Sequence, residues 1–187
     1  MSEAQHGDGD LAGLMAAYQG GDMNAFEELY ARLAPRVRAY LTALTRDAVR
    51  AEDLLQDTFL QIHRARRTYE PPRPVRPWVY AIARNVFLMS ARSASRRAKR
   101  EVLPDEELPE LPVPPEATSL GDREQLSRAL AGLSPVRREA VVLHHVLGLS
   151  FKEIGGALGI SEGAAKVRAH RGMVELRQVL GATGGGP

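Results

Sequence analysis

Apolar positions recur at three- and four-residue intervals along most of the chain, and no period-two run of β-branched residues interrupts them. Asp10 can cap a first helix running to about Gln19. Gly20-Gly21-Asp22 then breaks the chain, and Asp22 starts a second helix in which Phe26, Leu29, Tyr30 and Leu33 share one face. Val37, Tyr40, Leu41 and Leu44 carry the pattern past Pro35, so a kink or restart is expected there. A third helix is predicted from about Arg50 to Arg67, with Leu54, Leu55, Thr58, Phe59 and Ile62 as its apolar stripe. Prolines 71, 72, 74 and 77 forbid regular structure over Thr68 to Pro77. After this loop Trp78, Ile82, Val86 and Met89 mark a fourth helix to about Arg97.

The pattern lapses from Glu101 to about Asp122, where prolines 104, 109, 112, 114 and 115 stand among acids. It resumes with Leu126, Ala129, Leu130 and Leu133. Ser134-Pro135, a cap with proline at the first helical position, then opens a helix that runs to Leu147 and stops at Gly148. Ser150-Phe-Lys-Glu153 is a capping box ahead of Ile154, Ala157 and Leu158. Gly159 supplies a turn, and Ser161 caps a last helix bearing Lys166, Arg168, His170 and Arg171. Two helices around a tight turn, the second cationic, make a helix-turn-helix suited to a DNA major groove.

Of 187 residues, 44% are hydrophobic and 26% charged, enough for one medium domain or two small ones, and the proline-rich stretch favours two. Ala, Leu, Arg and Glu predominate over aromatics, which points to an all-α protein. No apolar stretch approaches the roughly 18 residues of a spanning helix, and the N-terminus is acidic, so a cytoplasmic protein without membrane insertion is expected. Without cysteine there are no disulfides or thiolate metal ligands.

The net charge of +2 conceals segregation. Residues 1–30 hold six acids and no Lys or Arg; residues 31–100 hold sixteen Lys/Arg and five acids; residues 101–126 hold eight acids and one Arg; residues 127–187 hold eight Lys/Arg and four acids. Two basic modules alternating with acidic segments suit a polyanion-binding protein. The expected organisation is a disordered 1–9, a helical domain at 10–98, a flexible linker at 99–122, a helix-turn-helix domain at 123–180 and a disordered tail at 181–187.

Three stretches taken together, Ala51-Glu-Asp-Leu-Leu-Gln-Asp-Thr-Phe59, Trp78-Val-Tyr-Ala-Ile-Ala-Arg-Asn85 and Leu149-Ser-Phe-Lys-Glu-Ile154 through Arg171, resemble the small extracytoplasmic-function type of bacterial RNA polymerase sigma factor. The resemblance implies a sigma-2-like helical bundle and a sigma-4-like helix-turn-helix joined by a linker without a folded domain between. It also implies binding to the polymerase core, at the clamp region of the largest subunit and the flap of the second-largest, and to promoter DNA. An anti-sigma factor is a further implied partner; no catalytic residue, metal or cofactor is.

On the third helix Asp53, Gln56, Asp57 and Leu60 lie away from the inward stripe and form an acidic and apolar face. A DNA-bound domain has little use for it and a protein partner does, and the resemblance assigns it to the core polymerase. The alternative is a solvated helix side with intrahelical pairs. Opening a duplex without ATP requires unstacking, a few kcal/mol per extruded base, to be offset by base pockets and phosphate neutralisation. Tyr69 offers a ring, Asn85 a base-edge partner, and Arg84, Arg92 and Arg96 phosphate ligands for the minus-10 element. Trp78, in register with Ile82, reads as a core anchor ahead of a DNA contact, and for Tyr69 packing and base stacking stand about equal. On the last helix Lys166, Val167, His170 and Arg171 match the family's minus-35 contact positions, with Arg168 a phosphate ligand; His170 alternatively fills space. Ile154, Leu158, Ile160 and Leu176 read as packing.

A stand-alone dimeric helix-turn-helix regulator would explain the second module but neither the proline-rich loop nor the face near Asp57. An enzyme would need a nucleophile or metal cluster. His144 and His145 are adjacent and diverge on a helix, and neither a His-Glu-x-x-His pattern nor a P-loop is present. The linker's about 22 residues, at roughly 3.1 Å each, reach about 68 Å, more than the about 58 Å of a spacer of about 17 base pairs. Its negative charge suits either an inert tether or a mimic of nucleic acid along the RNA path. If it is a mimic, replacing Asp105, Glu106 and Glu107 with Ser will change the pattern of abortive transcripts, and an unchanged pattern identifies a tether.

Overall fold

The computed structural model describes residues 3–100 and 120–183, and within them every regular element is helical. Helix α1 spans Glu3–Gln19, α2 Met23–Thr45, α3 Ala48–Ala65 with a 3-10 turn at Arg66–Thr68, and α4 Val75–Arg100. After the acidic segment come α5 (Leu120–Gly132), α6 (Pro135–Val141) with a π-helical turn at Val142–Val146, α7 (Phe151–Leu158) and α8 (Glu162–Thr183). The linker residues 101–119 lie outside the described part.

The boundaries follow local chemistry. Asp22 accepts hydrogen bonds from the backbone N–H groups of Asn24 and Ala25, and Asp47 from those of Val49 and Arg50, each satisfying donors that a helix start leaves open. The capping box is complete: the Ser150 N–H donates to Glu153 at 2.7 Å and the Glu153 N–H to Ser150 Oγ at 3.3 Å. Gly159 ends α7 in the left-handed region (φ 67°), and the Ala164 N–H donates to Ser161 Oγ to begin α8. At the α7–α8 turn the chain also needs Gly155, because a Cβ there would stand 2.8 Å from the Ile160 carbonyl oxygen.

In the first unit α1 to α4 pack around Met15, Tyr18, Val37, Tyr40, Leu41, Leu55 and Val75, all essentially without exposure. The stripe expected on α3 faces inward, Leu54, Leu55, Thr58, Phe59 and Ile62 all being buried. In the second unit α8 packs on α6, α7 and α5, with Leu133, Val141, Ala165, Ala169 and Leu176 between them. The two units meet along an apolar seam. Helix α4 lies on α7, α2 touches α5 and α6, and Val142, Leu143, Leu147, Leu149 and Ile154 join the same buried cluster as Tyr40 and Tyr80.

Polar groups register this seam. Tyr40, fully buried, donates from its hydroxyl to Glu139 Oε1 at 2.7 Å, and Arg84 Nε approaches the same oxygen at 3.1 Å. Burial first, and the neighbouring Glu139 second, push the Tyr40 hydroxyl well above its ordinary pKa and keep it a donor. Arg76, 5% exposed, donates to the Leu147 carbonyl across the seam.

Several boundaries differ from the sequence expectation. Helix α1 begins at Glu3, so residues 3–9 are helical: once Leu11, Met15 and Tyr18 anchor it, each upstream residue fixed gains a hydrogen bond without renewed nucleation. Asp10 therefore lies within α1, where it pairs with Arg32 of α2. Helix α2 is continuous through Pro35, which is exposed. Helix α4 starts at Val75 and includes Pro77 in its first turn, where the missing N–H is one of those that have no intrahelical acceptor. Ser134 caps α6 through its backbone carbonyl only. The end of that helix widens, the Leu147 N–H bonding to the Val142 carbonyl. Helix α8 extends through Thr183, past the expected end at Leu180.

The crowding at Gly155 gives a paired test. Gly155→Ala should destabilise the protein by about 1–3 kcal/mol in urea unfolding. Gly156→Ala, at an exposed helical site with open space around it, should be stabilising by up to ~1 kcal/mol.

Candidate nucleic-acid and protein interfaces

Helix α3 presents two unlike faces. Opposite its buried stripe, Asp53, Gln56, Asp57 and Leu60 are all exposed on successive turns, Leu60 at 46%. Three polar side chains and an open leucine on one ridge offer an apolar contact ringed by negative charge, the composition of a protein-docking surface rather than a phosphate-binding one.

The loop between α3 and α4 is braced from within. Gln19, at the end of α1, donates from Nε2 to the carbonyls of Arg66 and Tyr69, both at 2.7 Å. Tyr18, beside it, shares a 2.6 Å hydrogen bond with His63, and the Arg66 guanidinium stands 5.7 Å from the Tyr18 ring centroid. Tyr69 itself is 3% exposed, with its ring edge-on to Trp78 at 5.7 Å and its hydroxyl donating to the Arg73 carbonyl. The structure thus places Tyr69 as a packed ring, its partner Trp78 half-buried against the core. For Tyr69 to stack on a base, the loop would have to open.

Along α4, Asn85 and Arg92 are exposed, whereas Arg84 is half-buried and turned to Glu139. Arg84 and Asn85, adjacent in sequence, point about 100° apart on a helix, so they do not form one surface here. The Arg96 side chain lies outside the described residues.

The recognition helix is open. Lys166, Val167, His170 and Arg171 are exposed on α8 and line a shallow groove of about 470 Å³ with His144, His145, Phe151 and Arg177. Arg168 points to another side and is half-buried. His170 is exposed, so it does not fill core space. His144 stacks on Phe151 at 4.1 Å and its Nδ1 lies 2.8 Å from the Leu149 carbonyl, fixing the turn into α7. Partial desolvation first, then His144 and Arg177, hold His145 below the ordinary histidine pKa.

A second cleft of about 1120 Å³ lies between the units, with Tyr69, Arg73, Arg76 and Trp78 on one wall and Ser150, Phe151, Lys152 and Glu153 on the other. Sequence reasoning missed three residues that matter here. Gln19 and Glu139 sit in segments whose pattern reports helix but not partner, and Arg76 in the stretch read as a proline-rich loop. Glu139 carried a faint signal, as an acid directly before the apolar run Ala140-Val-Val-Leu143. Among the described residues, no group of three or more His, Cys, Asp or Glu side chains is placed to hold a metal, and no helix is long and apolar enough to cross a membrane.

Residues 29–97 match the family model for sigma-70 region 2, and residues 123–176 the model for sigma-70 region 4. The chain is 45% identical over 177 residues to the RNA polymerase sigma factor CarQ of Myxococcus xanthus, covering 89% of this chain and 95% of that one. It is 36% identical over 169 residues to the ECF RNA polymerase sigma factor SigF of Caulobacter vibrioides, covering 90% and 92%. Its fold is similar to that of the sigma factor RpoE of Bartonella quintana in complex with the anti-sigma factor NepR, at 26% identity and a TM-score of 0.69, over 83% of this chain and 96% of that one. A structure of CnrH in complex with the cytosolic domain of CnrY shares the fold at 23% identity and a TM-score of 0.69, over 92% and 98%. Two helical units in this order, an open cationic recognition helix and relatives matched over nearly their whole length lead to one assignment: the chain belongs to the extracytoplasmic-function family of RNA polymerase sigma factors.

Proposed function

We propose that this chain directs RNA polymerase to promoters by dividing three contacts among three helices. Helix α3 docks on the core enzyme through Asp53, Gln56, Asp57 and Leu60; the loop before α4, together with Asn85, Arg84, Arg92 and Arg96, captures and melts the minus-10 element; α8 reads the minus-35 element through Lys166, Val167, His170 and Arg171, with Arg168 on a phosphate. The observation that carries the reading is the exposed face of α3. A protein-docking ridge and a groove-reading helix in one chain fit a subunit that brings an enzyme to DNA. A stand-alone regulator needs only the second.

Chemistry supports the division. Arginine donating two parallel hydrogen bonds to guanine is the commonest specific major-groove contact, and Arg171 is exposed for it on the same face as Lys166 and His170. The relatives' complexes with NepR and CnrY make an anti-sigma partner a proposal for this chain as well.

Run-off transcription on sheared genomic DNA, with sigma-free core polymerase, tests the whole reading: discrete transcripts that need this protein are expected, and their absence together with failure to comigrate with core would leave the stand-alone regulator. Asp57→Arg should weaken core binding at least tenfold while leaving the circular-dichroism spectrum unchanged. Arg171→Ala should lower output from promoters carrying a minus-35 element by about tenfold, as expected for loss of one contact of about 1–3 kcal/mol, with core affinity intact.

A further inference from the structure

We propose that Gln19 is a positioning residue for the minus-10 element: it pins the backbone from which the Tyr69 ring swings, and so fixes where the loop before α4 delivers that ring. The proposal deepens the promoter reading above and rests on it for its consequence, while the brace itself stands on geometry. Helix α1 contributes no residue to the contacts assigned so far.

The loop is poorly equipped to hold its own backbone. Pro71, Pro72, Pro74 and Pro77 offer no N–H. What backbone bonding it has is local, from the Tyr69 N–H to the Arg66 carbonyl at 3.3 Å and from the Arg73 N–H to the Glu70 carbonyl at 3.1 Å. The Arg73–Glu70 ion pair is open to water at both ends and adds little. The firm tie comes from α1. Both partners of the Gln19 side chain are carbonyl oxygens, so it must present its NH2 group, and an amide nitrogen carries two hydrogens, one for each. Those carbonyls belong to the 3-10 turn and the residue that ends it, where a helix leaves acceptors without donors of its own.

Gln19 can act as a fixed point because its own place is determined. Tyr18, next to it, is buried, with its ring 4.9 Å from that of Phe26 on α2 and its hydroxyl bonded to His63 on α3. Beyond Gln19 the chain turns at Gly21 with φ 102°, a conformation that side chains rarely adopt, and Asp22 at once caps α2. The end of α1 is thereby set against α2 and α3 together.

This arrangement separates the Tyr69 backbone from its ring. Gln19 holds the carbonyl, whereas the ring rests edge-on to Trp78 and the hydroxyl donates to the Arg73 carbonyl. Rotation about the side-chain bonds breaks the second set of contacts and leaves the first in place. Tyr69 then moves as an arm on a fixed pivot, and its ring reaches few positions. With the pivot released the loop moves as a whole, and the ring can follow a wrong base as readily as the right one. Discrimination needs the first case, because a recognition group rejects a misfit only when its supports keep it from shifting to meet it.

Two substitutions test this. Gln19→Met keeps the length and helix propensity of the side chain and removes both donors; Gln19→Glu keeps the shape and sets a carboxylate against the two carbonyls. Trp78 is the chain's one tryptophan, so acrylamide quenching of its fluorescence reads release of Tyr69 in the full-length protein without DNA. Both variants should be quenched faster than wild type. The second readout is relative transcription, with core polymerase in one tube, from promoters that differ at a single minus-10 base. That ratio does not depend on how much of a variant is folded, so a merely structural loss leaves it unchanged. The preference for the favoured base should fall by about tenfold in both variants, the scale of two lost hydrogen bonds. Unchanged quenching would overturn the proposal, as would faster quenching accompanied by wild-type base ratios. If wild-type protein supports no promoter-dependent transcript, the promoter reading fails and the positioning role with it, while quenching still shows whether Gln19 holds the loop.

Discussion

Three consecutive side chains of α6 determine where everything around them sits. Successive residues of a helix point about 100° apart, so Arg137, Arg138 and Glu139 reach three different neighbours. Arg137 bonds Glu175 of α8 at 2.7 Å. Arg138, buried, donates to the carbonyls of Leu130, Ala131 and Leu133 at the end of α5, where the last carbonyls have no intrahelical N–H donors. Glu139 takes Tyr40 and Arg84 from the first unit. A seven-residue helix thereby becomes the common reference for α8, α5 and the other half of the molecule.

The energetics of that hub are divided by type. Adhesion comes from Val142, Leu143, Leu147 and Leu149, whose burial is non-directional and would tolerate sliding. Ionised groups in such a seam cost several kcal/mol each unless donors or acceptors meet them. Glu139 meets its donors, Tyr40 and Arg84, across the seam and so favours a register that the apolar residues alone would leave loose, while Arg138 ties α6 to α5 within the second unit. Tyr40 adds shape to this, its ring edge-on to Tyr80 at 5.3 Å.

How much of this was legible in the sequence depended on the range of the signal. Caps and periods act over three or four residues, and they located Asp22, the Ser150–Glu153 box, Gly159, the α3 stripe and the open faces of α3 and α8. Proline was partly over-read: α2 does not restart at Pro35 but runs through it, and Pro77, expected in a loop, falls in a first turn that needs no donor. For Tyr69 residue type could not decide between stacking on a base and packing, and Arg84 was read as free for DNA because its residue type suits it. Their partners, Trp78 and the Arg73 carbonyl for one and Glu139 for the other, include one that lies 55 residues away, beyond any periodicity. The packing of the two units against each other was likewise invisible, since a proline-rich linker advertises separation and says nothing about what its ends do.

The two hydrogen bonds from Gln19 carry a lesson about modularity. The match to region 2 begins at residue 29, yet the backbone at the mouth of the proline-rich loop is held by a side chain ten positions earlier. The inherited unit and the mechanical unit are therefore not the same length. A hybrid assembled by joining one relative's first helix to another's region 2 at the homology boundary would keep every residue that defines the family and still hand the loop to a brace that evolved for a different partner.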